Sequence, residues 1–155
     1  MQFKIGNSSK QAAQLCSVEE NSKEWQTPIV GPNPTILKLE GRIQVVGGKM
    51  MATSGKEADF ATSKSKCKSV GGQIVTPKSE AENNAVLTFV KKYNRNTYLG
   101  MPGVFTYQNG NPAVYTRWRK GEPSGKGKQN CTEMYIDGQW NYKACNQKRL
   151  TVCEL

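Results

Sequence analysis

Residues 117–155 read RWRKGEPSGKGKQNCTEMYIDGQWNYKACNQKRLTVCEL, and this stretch decides the fold. It holds three of the chain's five cysteines, two of its three tryptophans, a Glu122-Pro123 turn and a Trp140-Asn141 pair. Cys131 to Ile136 runs apolar-polar into Asp137-Gly138, a hairpin signal, and Gln139 to Tyr142 returns. Arg149 to Leu155 alternates Leu150, Val152 and Leu155 with polar partners, with Cys153 in a position to be stapled. Short strands, tight turns and cysteines in a loop-rich segment describe a small oxidised domain.

Upstream, Tyr98-Leu99-Gly100 is a short apolar strand, and Phe105 to Tyr107 leads into an Asn109-Gly110 turn. Val86, Phe89, Val90 and Tyr93 fall at i, i+3, i+4 and i+7, the buried stripe of a helix whose start is set by the capping-box spacing of Ser79 and Glu82. Ser54 and Glu57 share that spacing and predict another helix, carrying Phe60 and Cys67 on one face and stopped by Gly71-Gly72. Before it, Arg42 to Val46 and Lys49 to Thr53 flank Gly47-Gly48 as a hairpin. Two helices followed by a strand-rich, loop-rich half predict an α+β domain over 36–155, with small antiparallel sheets.

Residues 1–35 read as a Pro-rich tether containing Cys16. Pro28, Pro32 and Pro34 preclude a continuous helix there. Ile29 and Ile36 are seven apart, but these prolines spoil a coiled-coil seam, so no trimer through a helical neck is expected. Asn7-Ser8-Ser9 is a glycosylation sequon on a polar stretch expected to be exposed.

Charge narrows the partners. The chain has 22 basic and 12 acidic residues, net +10, which favours anionic partners. Eight basic residues but only Glu122, Glu133 and Asp137 lie between residues 117 and 149. There is no histidine, which removes imidazole bases, His-based triads and most zinc-enzyme sites, so no enzyme is expected. No apolar run is long enough to span a membrane. The first fifteen residues lack the apolar core of a signal peptide, so a secretion signal is expected to have been removed ahead of an added Met1.

Four cysteines in the domain allow three pairings, and spacing does not choose among them. The segments GGQIVTPKSEAENNAVLTFVKKYN, YLG, GEPSGKGKQNC, EMYIDGQWN and RLTVCEL, in that order, resemble the C-type lectin-like domain, and within it the surfactant protein A type of collectin recognition domain. The resemblance implies the C-type lectin-like fold, with long disulfide-stapled loops, and the bridges Cys67–Cys153 and Cys131–Cys145. On the chain-entropy view these stabilise by roughly 4 to 5 and roughly 3 kcal/mol respectively. Cys16 is left outside both, either to cross-link two chains as a covalent homodimer or to stand as an inert or capped thiol.

The resemblance also implies a calcium-dependent sugar site. Carried over residue by residue, Glu122 matches its first carboxylate, Pro123 its loop proline and Asn141 its strand asparagine. Ser124 stands where mannose binders carry asparagine, Gln129 replaces a glutamate, and Tyr142 replaces an aspartate. Glu122, Gln129 and Asn141 are thus the remaining candidate metal ligands, and two of three carboxylates are gone. Arg119, Lys120, Lys126, Lys128 and Lys143 surround the same loops, and their field opposes a dication. The ligand surface is expected to comprise Arg119, Glu122, Ser124, Lys126, Lys128, Gln129, Asn141, Tyr142 and Lys143. The implied function is secreted recognition of glycans, anionic or sulfated ones included, or of lipid headgroups, with calcium dependence weakened or lost and no nucleic-acid partner. A calcium-independent protein-binding or inhibitory domain of the phospholipase-inhibitor type, and an interfacial or matrix protein, are the alternatives.

Overall fold

The structure is a computed structural model that describes residues 2–17, 33–101, 110–124 and 130–155. The helices are α1 (Gln2–Ser17), α2 (Pro34–Leu39), α3 (Phe60–Ser69) and α4 (Glu80–Tyr93). The strands are β1 (Ile43–Val46), β2 (Lys49–Ala58), β3 (Gln73–Ile74), β4 (Thr97–Leu99), β5 (Asn130–Met134), β6 (Trp140–Ala144) and β7 (Arg149–Glu154). They form one sheet in the order β1-β2-β7-β4-β5-β6, with β3 also on β7. Pairing is antiparallel except between β4 and β7, joined in parallel at Thr97 and Leu150. The α+β architecture read from the sequence is present.

The strongest local signals hold. Gly47 and Gly48 both take positive φ and turn β1 into β2. The Ser79 side chain accepts the Glu82 N–H at 3.2 Å and opens α4. The Glu82 carboxylate reaches back to the Lys78 N–H at 3.1 Å and takes Lys49 Nζ at 2.6 Å. Val86, Phe89 and Val90 are fully buried on the inner face of α4, where they meet Met51, Leu99, Met134, Trp140 and Leu150. Gly138 closes the β5–β6 hairpin with positive φ. The strand expected at Phe105 to Tyr107 and most of its turn lie outside the described residues.

The helix start predicted from Ser54 and Glu57 is displaced. β2 continues through both residues to Ala58, with Glu57 opposite Leu150 of β7. The helix begins only at Phe60, where Asp59 accepts the Thr62 N–H at 2.8 Å. Capping-box spacing is local, and pairing to a strand more than ninety residues away overrides it. Gly72 follows α3 because a Cβ there would lie 2.4 Å from the Glu154 carbonyl oxygen.

The reading of residues 1–35 as a tether is corrected over the first half of that segment. α1 packs on β2, and Ala12, Leu15 and Cys16 are buried with Leu37, Ile43, Met50 and Ala52. Gln11 Nε2 donates to the Gly71 carbonyl at 3.2 Å, fastening α1 to the end of α3. Cys16, for which a link between two chains is one of the two expectations, is 1% exposed, and its Sγ donates to the Thr53 carbonyl. It cannot reach a second chain while α1 is docked. The sequon also lies on this helix, with Asn7 exposed but Ser8 buried.

Two disulfides staple the domain, in the pairings the resemblance implied. Cys67–Cys153 spans 86 residues and ties α3 to β7; Cys131–Cys145 spans 14 and ties β5 to the turn after β6. The Phe60 N–H donates to the Cys145 carbonyl at 3.0 Å, joining the small loop to the start of α3.

Candidate functional site

The site is built on the β5–β6 hairpin and the chain that lies beside it. In the hairpin register Glu133 faces Asn141 and Thr132 faces Tyr142. Trp140 anchors it: the ring is fully buried, and its Nε1–H donates to Asn83 Oδ1 of α4 at 2.8 Å. The segment around Trp118 runs parallel to β6, with the Trp140 N–H on the Arg117 carbonyl at 2.8 Å and the Arg119 N–H on the Trp140 carbonyl at 2.9 Å. Trp118 packs edgewise on both Trp140 and Tyr142, at centroid separations of 5.8 and 5.5 Å. An aromatic wedge thus fixes the loop that delivers Glu122.

Glu122 precedes a cis bond to Pro123. Its carboxylate is occupied within the loop. One oxygen accepts Ser124 Oγ–H at 2.8 Å; the other accepts the Ser124 N–H at 3.1 Å and the Tyr142 N–H at 2.9 Å. Partial burial opposes ionisation, but the hydrogen bonds from Tyr142 and Ser124, with Arg119 nearby, outweigh it and hold the carboxyl below the usual range. Tyr142 sits where the resemblance calls for an acid. Its phenol is pushed upward by burial, so it stays neutral at physiological pH.

Asn141 is only 7% exposed. Its amide donates to Glu133 Oε1 at 3.2 Å and to the Tyr142 carbonyl at 3.1 Å, while Oδ1, also buried, accepts nothing from the described residues. Glu133 is itself fully buried and ion-paired to Arg149 of β7. The sequence reading passed over Glu133, Arg149, Asn83 and Trp118. The signal for Glu133 was a carboxylate inside a strand candidate, between Thr132 and Met134, where burial demands a partner.

The expected basic rim is only partly there. Arg119 is shared with other groups: its guanidinium lies 4.5 Å from the centre of the Tyr135 ring and 3.7 Å from Asp137, while its charge still favours the ionised Glu122. Arg117 is paired with Glu80 of α4 at 2.7 Å. Lys120 and Lys143 are exposed near Glu122 in sequence and on β6. Lys126, Lys128 and Gln129 lie outside the described residues.

The donor set can be compared with what calcium requires. Six to eight oxygens are usual, several of them carboxylate. The buried Asn141 Oδ1, with no hydrogen-bond partner among the described residues, has the character of a ligand atom. Glu122 provides the only carboxylate beside it at a carried-over ligand position among the described residues, and that group is already engaged by three protein donors. Tyr142 contributes a neutral ring. Among the described residues no three Asp, Glu, Cys or His side chains gather as a metal centre. These residues do not fit a calcium cage.

Residues 56–155 match the lectin C-type domain family. Solved structures share the fold. The mouse scavenger receptor C-type lectin carbohydrate-recognition domain is 19% identical with a TM-score of 0.65, covering 74% of this chain and 93% of its own. A calcium-independent type II antifreeze protein is 15% identical with a TM-score of 0.62, covering 74% and 91%. The carbohydrate-recognition domain of cow CD23, solved with an oligosaccharide, is 22% identical with a TM-score of 0.61, covering 74% and 92%. With its two bridges, its helix-backed sheet and the Trp140-anchored hairpin, the chain belongs to the C-type lectin domain family.

Proposed function

We propose that the domain is a secreted, non-catalytic recognition module that binds glycans or lipid headgroups through the surface of Glu122, Ser124, Asn141, Tyr142 and Lys143, with calcium dependence weakened or lost. The observation that carries this reading is the internal engagement of Glu122. A carboxylate that accepts three protein hydrogen bonds is already satisfied, and a metal would have to displace them. The fold is compatible with both halves of the proposal, since its members include a cow CD23 domain solved with an oligosaccharide and a calcium-independent antifreeze protein. The EMYIDGQWN and RLTVCEL segments support a surfactant protein A-like placement within the family. The net charge of +10 supports anionic ligands over neutral ones.

A glycan array, run in calcium and again in chelator beside anionic and neutral liposomes, tests the proposal. Binding that persists in chelator and favours anionic ligands is expected. Binding released by chelator and restored by calcium would overturn it and make the protein an ordinary calcium lectin.

A further inference from the structure

Five large apolar side chains are exposed among the described residues, and three of them, Ile36, Leu39 and Val45, fall within ten residues of chain. Their exposure follows from how α2 is used. Its six residues turn Leu37 inward, where it is fully buried with Ile43 and Met50. Ile36 and Leu39, one turn apart, are left on the outer side, 51% and 83% exposed. Val45, also exposed, stands two residues from Ile43 on β1 and so shares the strand face on which α2 packs. Among the described residues β1 is an edge strand, bonded only to β2.

Clustered apolar groups left in water mark a contact surface. Three aliphatic side chains fall well short of the ~800 Å² per partner that a stable protein interface buries. They suit a partner that takes up a small apolar tip, and a lipid bilayer does so. The charge beside them has the sign for an anionic one. Lys38 is exposed between Ile36 and Leu39. The Lys92 side chain, from the end of α4, lies along Gly41, where an added Cβ would stand 3.2 Å from its Cδ. Its Nζ is 5.7 Å from the centre of the Tyr93 ring, a contact that leaves the charge in place. Lys91, next to it, is exposed. Glu40 is the one acid between residues 34 and 42, and Arg42 answers it at 3.9 Å. Basic groups flanking an apolar tip are drawn to anionic headgroups while the tip enters the interface.

From this we infer that α2 and the start of β1 form a membrane-contact surface, separate from the one around Glu122. Ile36, Leu39 and Val45 enter the interfacial layer of an anionic bilayer, and Lys38, Lys91 and Lys92 meet its headgroups. The test is co-sedimentation of the full chain with vesicles of phosphatidylserine and phosphatidylcholine, and with phosphatidylcholine alone. Binding to the anionic vesicles that weakens with salt is expected, with little on the neutral ones. Ile36→Ser with Leu39→Ser should weaken binding at least about tenfold, and Lys38→Gln with Lys92→Gln about tenfold. The charge-matched Lys64→Gln with Lys68→Gln, on α3, should change it less than about twofold. Circular dichroism of each variant confirms that the fold is kept. An environment-sensitive dye on Leu39→Cys should shift to the blue on the vesicles, and one on Ile136→Cys, in the β5–β6 turn, should not. Unchanged binding in the Ile36/Leu39 variant, or a shift at Ile136 in place of Leu39, would overturn the inference. So would a parent that ignores vesicles yet sediments as a dimer which the Ile36/Leu39 variant dissolves, since the patch would then join copies of this chain.

Discussion

Glu133 carries a carboxylate into the interior of the sheet and survives there because Arg149 and Asn141 meet it. Removing one partner of such a pair leaves the other charge stranded, so Glu133→Ala is expected to cost about 3 kcal/mol, read by urea denaturation. An unchanged midpoint would show that the pair is not load-sharing in solution. Glu122 behaves differently because it is half exposed and held by hydrogen bonds from Ser124 in its own loop and from the Tyr142 N–H of β6. Its folded pKa lies below the unfolded one, so its stabilisation is present above the ordinary glutamate value of about 4.3 and fades as pH falls through the lowered folded value. The stability gap between the parent and Glu122→Gln is therefore expected to close below about pH 4. A gap that stayed constant with pH would refute the hydrogen-bond account. The candidate positions Glu122 and Asn141 could be named from the sequence because the resemblance rests on two short motifs, Glu122-Pro123 and Trp140-Asn141. Glu133 was not, because its partner lies on another strand and no local spacing announces it.

At the scale of elements, legibility followed the range of the deciding contact. The β1–β2 and β5–β6 hairpins and α4 are set by turns and caps within a few residues, and each was readable. The start of α3 and the run of β2 are settled by β7, far along the chain, and a correct local signal at Ser54 and Glu57 pointed to the wrong place. α1 was obscured by its polar composition and by the prolines that follow; its buried side, which includes Ser8, Ala12, Ala13, Leu15 and Cys16, carries just one large apolar side chain among these, Leu15. That packing has a measurable consequence. Leu15 is 1% exposed, so Leu15→Ala is expected to lower stability by about 2 to 4 kcal/mol, in thermal or chemical unfolding. A change within about 0.5 kcal/mol, the usual range for surface positions, would restore the tether reading. With α1 docked, Cys16 should resist a thiol reagent until denaturant is added, and rapid labelling of the native protein would contradict the burial.

For the whole molecule, the lectin-domain fold holds a Glu122 carboxylate engaged by Ser124 and Tyr142, and its positive charge is spread over several faces. Arg117 and Arg119 answer to Glu80 and Asp137, and part of the remaining charge falls on α3. Gln129→Glu with Tyr142→Asp should restore two carboxylates and raise calcium affinity, since affinity follows carboxylate count. The unaltered protein provides the most direct test of the central claim, by calorimetric titration with calcium alone. No saturable binding at micromolar calcium is expected, with heats appearing only in the doubly substituted variant. Stoichiometric binding of calcium by the parent at micromolar concentration would contradict the account.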